Sequence, residues 1–231
     1  MITAAILVAG GPGTRLGAGI AKAFVELAGT PLVVHALRVL CSAESIARVV
    51  LVVPDAARSR ASAALAQHGP WRCPVTVVAG GVQRQDSVRQ GLAAIGDADL
   101  VAIHDAARPL VSRAVIEAVI AAAAAHGAAI AATPAIDTIK LVHADGWIES
   151  TPARQHLWLA QTPQVFRSAL IRRAHAAPFD GDATATDDAM LVERLGEKVY
   201  VVPGNPENRK ITTPEDLRWA EWLLTSPAAP R

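Results

Sequence analysis

The apolar run Ala4-Ala5-Ile6-Leu7-Val8 stops abruptly at Ala9-Gly10-Gly11-Pro12-Gly13-Thr14-Arg15-Leu16-Gly17, and Lys22 follows a short loop later. A buried strand that ends in glycines turns its backbone tightly and exposes amide N–H groups toward an anion. Arg15 and Lys22 add fixed positive charge to such a cradle. Two familiar glycine motifs fail here. The dinucleotide fingerprint needs a glycine where Leu16 stands, and the P-loop pattern finds no register. What remains, Gly11-x-Gly13-x-Arg15-x-Gly17 with Lys22, aims side chains as well as amides at phosphates, which suits charge neutralisation during phosphoryl or nucleotidyl transfer. A plain glycine-rich turn with two solvated cations fits these letters equally well.

Three further stretches carry candidate chemistry. In Gly80-Gly81-Val82-Gln83-Arg84-Gln85-Asp86-Ser87 a glycine pair precedes a polar helix start. Such a backbone can approach a flat ligand, or it is a simple loop with Ser87 in the first helical turn. His104-Asp105-Ala106-Ala107-Arg108-Pro109 ends a strand, so its acid and cation project toward the same crevice as the first loop. Asp105 there suits a hydroxyl or metal ligand, against the alternative of an Asp105–Arg108 ion pair tying the loop; His104 reads as a packed strand-end residue. Lys210, in Asn208-Arg209-Lys210-Ile211-Thr212, leads into a capped helix and could close over phosphates, whereas most other cations read as solvated. Asp182, Asp187 and Asp188 read as helix-start charge around Thr186 before any metal is considered.

The elements that must position these residues alternate. Strand-like runs at 3–8, 47–53, 74–79, 99–104 and 127–133 are separated by helical patterns near 31–43, 55–67, 84–95, 112–125, 166–175, 187–194 and 214–224. That rhythm predicts an α/β fold, a mostly parallel sheet with helices on both faces, whose strand-end loops gather on one ligand edge. Residues 134–160 break the rhythm as a β-hairpin arm around Asp145-Gly146, suited to packing on a partner subunit or on its own domain. A Pro/Ala-rich tail at 227–231 is expected to fray.

Composition sets the outer bounds. The 231 residues suit one domain, and 52% hydrophobic with 19% charged residues provides ample core. Twenty-two Lys plus Arg against twenty-one Asp plus Glu leave a net charge of +1, so no global field argues for nucleic acid or an anionic membrane. Cys41 and Cys73 show neither disulfide nor zinc spacing and read as buried thiols of a reducing cytoplasm. No secretory signal is read at the N-terminus, and the uncharged stretch 118–136 reads as helix, turn and strand instead of a membrane span.

The ordered set of the glycine loop with Arg15 and Lys22, Gly80-Gly81 with Arg84 and Ser87, HDAARP at 104–109, DTIK at 137–140, Arg154 before Leu157-Trp158, Thr162-Pro163-Gln164, Thr186-Asp187-Asp188-Ala189 and Asn208-Arg209-Lys210 resembles the 2-C-methyl-D-erythritol 4-phosphate cytidylyltransferases. The match spans essentially the whole chain. The resemblance implies a Rossmann-like nucleotidyltransferase fold, a homodimer with interlocked arms, and CMP transfer from CTP to a methylerythritol phosphate with magnesium held mainly through the CTP phosphates. It implies catalytic cations at Arg15, Lys22 and Lys210. A CTP pocket follows at Ala9, Gly10, Gly11, Gly81, Ser87 and Asp105, and an acceptor site at Arg108, Thr138 and Arg154, some of it supplied by a neighbouring arm. The nearest rival is a ribitol 5-phosphate cytidylyltransferase. A nucleotide-binding regulatory module without catalysis is the alternative from another class. This chain departs from the family in Ala21-Lys22-Ala23, where proline and glutamine usually flank the lysine, and in Val82, where a polar residue is common.

Overall fold

The computed structural model describes residues 1–11, 13, 21–178 and 185–226. Strand β1 (Thr3–Val8) precedes a 3-10 turn at Lys22–Phe24, short strands β2 (Glu26–Leu27) and β3 (Thr30–Pro31), and helix α1 (Leu32–Ser42). Next come β4 (Ile46–Val53), α2 (Arg58–His68), β5 (Val75–Ala79) and α3 (Arg84–Ala94). β6 (Leu100–Asp105), α4 (Arg113–His126) and β7 (Ala128–Pro134) lead to a small hairpin of β8 (Leu141–Val142) and β9 (Ile148–Ser150). The described chain ends with β10 (Trp158–Arg167), α5 (Ser168–Ala176), α6 (Asp188–Glu193), β11 (Tyr200–Pro203) and α7 (Pro214–Thr225).

Seven strands form one sheet in the order β11-β7-β10-β6-β1-β4-β5. All neighbours pair parallel except β10, which runs antiparallel to both β6 and β7. The chain winds outward from β1 through β4 to β5, then returns to place β6 on the other side of β1. This reversal opens a crevice beyond the carboxyl ends of β1 and β6, the usual ligand position in such sheets. Every residue of β1 is buried, as expected of a strand covered on both faces. Ala5 and Leu7 point into a core shared with α1 and α4, while Ala4, Ile6 and Val8 face the one beneath α3, α5 and α6. A smaller cluster of Val25, Leu27, Leu32, Ile211 and Ala220 seats α7.

The expected strands and helices are present, with boundaries shifted by a few residues. Two expectations are corrected. The helix read from 166 begins only at Ser168, because Phe166 and Arg167 finish β10, which the sequence had not announced. Its centre, Gln161-Thr162-Pro163-Gln164, is buried yet polar, so it carries no apolar alternation. The hairpin is also shorter than read, although its turn falls at Asp145-Gly146 with Gly146 at a φ of 94°. Start signals at Ser112 and Thr213 hold: Ser112 Oγ accepts from Val115 N, and Thr213 exchanges capping bonds with Asp216 behind Pro214. Cys41 and Cys73 are buried free thiols with sulfurs 3.4 Å apart, and burial first, then Cys73, pushes the Cys41 thiol up to about 12. Among the described residues no helix is long and apolar enough to cross a membrane. The tail at 227–231 lies outside the described residues.

Gly91 lets α3 lie directly on the central strand, since a Cβ there would come within 2.6 Å of Ile6 Cγ2. Replacement by leucine should therefore overpack this contact and lower the unfolding free energy by about 1–3 kcal/mol. Urea denaturation of Gly91→Leu checks this, and an unchanged midpoint would contradict the packing.

Candidate active site

A cavity of about 360 Å³ opens where β1, β5 and β6 end. The glycine loop supplies one wall through Ala9, Gly10 and Gly11, and Lys22 enters from the 3-10 turn behind it. Two bonds anchor that wall: Ala9 N donates to the Val52 carbonyl at 2.8 Å, and Lys22 N to the Gly11 carbonyl at 3.2 Å. The opposite wall comes from Gly81 and Ser87 at the start of α3. Asp105 and Lys210 complete it from the end of β6 and the segment before α7. Eight of the residues singled out in the sequence thus meet in one cleft, brought there by four separate segments.

Close backbone approach explains the glycines of α3's entry. A Cβ on Gly81 would lie 2.3 Å from Asp86 Cβ, and one on Gly80 would lie 2.7 Å from Ser87 Oγ. Ser87 stands in the first helical turn, where Oγ accepts from Gly81 N and donates to the Gln83 carbonyl, both at 3.2 Å. The structural reading of Ser87 and its place on the cleft wall are therefore both correct. Val82 is fully exposed at the rim, so only its main chain need shape the wall.

Charge in the cleft is arranged as an alternating chain. Lys210 Nζ lies 2.8 Å from Asp105 Oδ2, and Arg84 Nε lies 3.2 Å from Asp105 Oδ1. Arg84 Nη1 continues to Asp188 Oδ2 at 2.8 Å, and Asp188 Oδ1 meets His175 Nε2 at 3.0 Å. Burial would raise the Asp105 pKa, yet Arg84 and Lys210 outweigh it and hold the carboxyl well below the usual range. Burial likewise opposes charge on Arg84, but Asp188 and Asp105 keep its guanidinium more firmly cationic. The alternative reading of this loop, an Asp105–Arg108 tie, is not formed as a bonded pair. Arg108 instead donates Nη1 to the Asn208 carbonyl at 2.8 Å and Nη2 to the Ala160 carbonyl at 3.3 Å.

His104 fills the strand end as a packed residue with no exposed surface. Its Nε2 must donate to the Arg108 carbonyl at 3.0 Å, so its Nδ1 accepts from Thr162 Oγ1 at 2.9 Å. Thr162 Oγ1 in turn accepts from Asp105 N at 3.1 Å. This tautomer is neutral, and burial lowers the His104 pKa to about 4. A general-base role is thereby excluded at neutral pH, because both ring nitrogens are already engaged.

Other candidates lie elsewhere. Arg15 and Asp182 fall outside the described residues. Thr138 and Arg154 do not line this chain's cleft: both are exposed beside the arm, where Arg154 Nη1 donates to the Ile136 carbonyl. Asp187 and Asp188 are both the helix-start acids that were expected: Asp187 caps α6 by accepting from Met190 N at 2.9 Å, and Asp188 stands in its first turn with a second task. Only 1% exposed, it is the buried partner of Arg84 and His175. Arg84 was named only as part of the motif, and the structure makes it the hinge of the charge chain. Its signal was an arginine in a polar helix start; its partner Asp188 stands too far along the sequence to be paired by spacing.

The chain matches the family model for 2-C-methyl-D-erythritol 4-phosphate cytidylyltransferase over residues 3–226. A protein of that name from Pelotomaculum thermopropionicum is 45% identical over 222 residues, covering 96% of this chain and 93% of the relative. The crystal structure of a 4-diphosphocytidyl-2C-methyl-D-erythritol synthase from Anaerococcus prevotii superposes with a TM-score of 0.84 at 30% identity, covering 96% and 98% of the two chains. The cytidylyltransferase structure from Thermus thermophilus gives 0.78 at 34% identity, with the same coverage.

The buried neutral imidazole carries a pH signature. The unfolded chain binds a proton on His104 near pH 6.5, whereas the folded chain resists it until about 4. Between those values the unfolded state holds more protons, so stability is full above pH 6.5 and falls on acidification, by about 3 kcal/mol for this group. Urea denaturation at pH 7 and pH 4.5 should show a shallower acid loss in His104→Gln than in the parent chain; equal slopes would contradict the assignment.

Proposed function

The chain belongs to the 2-C-methyl-D-erythritol 4-phosphate cytidylyltransferase family, and on that premise we propose that it transfers CMP from CTP to 2-C-methyl-D-erythritol 4-phosphate, releasing diphosphate, in non-mevalonate isoprenoid precursor synthesis. The observation that carries this reading is the cleft at the β1/β6 crevice, with glycine backbone on one side and Lys22 and Lys210 converging on it. Its walls suit a nucleotide. Ala9, Gly10, Gly11, Gly81 and Ser87 present backbone groups and one hydroxyl to a base and its phosphates, and Asp105 faces them from β6.

The chemistry asks little of acid–base catalysis. The acceptor phosphate is already anionic, so its oxygen attacks the α-phosphorus of CTP directly, and the bond from that phosphorus to the β-phosphate bridging oxygen breaks. The barrier lies in joining two anions and stabilising the charge that moves onto diphosphate. Lys22, Lys210 and Arg15 are the cations assigned to that task. Arg108 is assigned to the acceptor phosphate. Among the described residues no three His, Cys, Asp or Glu side chains are grouped to hold a metal, and Asp105 is the one carboxylate on the cleft wall. That donor set fits a magnesium ion carried by the nucleotide phosphates, with Asp105 as its protein ligand. Bound there, the ion would draw negative charge from the phosphate oxygens.

The arm supports a homodimer. Trp147 and Ile148 project from it 75% and 60% exposed, joined by Ile136, Leu141 and Val142, an apolar surface of the sort that partners cover. Thr138 and Arg154, remote from their own cleft, are then assigned to the acceptor site of the partner. The enzyme is assigned to the cytoplasm.

An assay of diphosphate release with CTP should show turnover with the methylerythritol phosphate, none of comparable rate with ribitol 5-phosphate, and a loss of about 10²–10³-fold in Lys22→Ala or Arg15→Ala. Near-normal kinetics in either variant, or exclusive use of ribitol phosphate, would overturn the assignment. Ile148→Glu should shift the sedimenting species from dimer to monomer and depress turnover with it; a parent chain that sediments as a monomer refutes the shared site.

A further inference from the structure

Lys210 sits on a segment without helix or strand, between β11 and α7, yet that segment is pinned by buried carboxamides. Asn208 has no exposed surface, and its Nδ2 donates to Gln161 Oε1 at 3.0 Å and to the Thr162 carbonyl at 2.8 Å. Gln161, 7% exposed, returns Nε2 to the Asn205 carbonyl at 3.0 Å. The pair thus grips both ends of the 205–208 turn against β10. Gly204 makes room for the grip, since a Cβ there would stand 2.5 Å from Gln161 Oε1. Beyond the clasp, Ile211 N donates to the Ala107 carbonyl at 2.8 Å, and Arg108 Nη1 holds the Asn208 carbonyl.

We propose that Asn208 and Gln161 are positioning residues for Lys210: their clasp sets where the Lys210 ammonium meets the nucleotide phosphates. The inference rests on the role of Lys210 given above. A lysine ammonium on four methylenes is a mobile point charge, so its aim depends on how firmly its own backbone is held. Linked amides away from water are stronger than exposed ones, and removing one partner leaves the donor of the other with less to bond. Lys210 starts two residues from this fixed point and is already directed at Asp105 Oδ2. Displacing such a group by about an ångström can cost about 10²-fold in rate.

The test is a double-mutant cycle on CMP transfer, with urea denaturation giving the folded fraction of each protein. Asn208→Ala should lower kcat about 10- to 100-fold, by the same positional argument. In the Lys210→Ala background, Asn208→Ala should cost nothing more, because the cation it aims is gone. Gln161→Leu, which keeps the Asn208–Thr162 bond, should show a smaller loss that also vanishes in that background, and it carries the test if Asn208→Ala does not fold. Multiplicative losses in the double variants would overturn the proposal in favour of a general structural role. Near-normal turnover of Lys210→Ala alone would instead overturn the role of Lys210 itself, and the proposal with it.

Discussion

A carboxylate with little access to water makes the cleft tenable. Several cations must converge there, and at short range in a low dielectric their mutual repulsion would push the segments apart. Asp105 accepts from both Arg84 and Lys210, and Asp188 takes the other side of Arg84, so opposite signs alternate from the cleft inward. This chain is a compromise with two functions: it holds α3, β6, α6 and the pre-α7 segment together, and it leaves Lys210 partnered by a group from which a polyanion can draw it. The buried carboxylates of Asp188 and Asp105 are costly to leave unpaired, so each holds Arg84 in place between them.

Everything that carries the charges is set against the sheet by small residues and polar strand ends. Gly80, Gly81 and Gly91 bring α3 close enough for Arg84 to reach inward, since a side chain at any of them meets a neighbour within 3 Å. β10 contributes differently. Its buried polar centre provides Thr162 to His104 and to the Asp105 amide, Gln161 to Asn208, and Gln164 to the start of α6. The antiparallel strand is thus a frame for the surrounding loops, where a purely apolar strand would only have filled space.

Much of this was legible in the letters, and the reasons for the failures are physical. Apolar runs such as 3–8 and 99–104 announce buried parallel strands, and the glycines that end the first announce a turn at the ligand edge. The cleft residues from Ala9 to Lys210 were legible because strand-end loops of such a sheet have only one place to go. β10 was not legible, since hydrophobic periodicity is the signal for strands and its middle is Gln-Thr-Pro-Gln. The Arg84–Asp188 bond was hidden for another reason: no local pattern pairs charges a hundred residues apart, and Asp188 two places after Thr186 looks like helix-start charge. Thr138 and Arg154 are a third case: the resemblance named them where spacing did not, and neither lines this chain's cleft.

The hydrogen bond from Lys210 to Asp105 spans 105 positions of sequence, and Arg108 reaches Asn208 across 100. Its consequence concerns the order of events during synthesis. A ribosome-bound chain can complete β1 and the HDAARP loop long before the opposing lysine leaves the exit tunnel, and until then Asp105 lacks the second of its two cations. The cavity is therefore closed only once Lys210 has emerged, after all seven strands of the sheet, and a chain stopped before Asn208 would hold those strands and lack the lysine that completes the pocket.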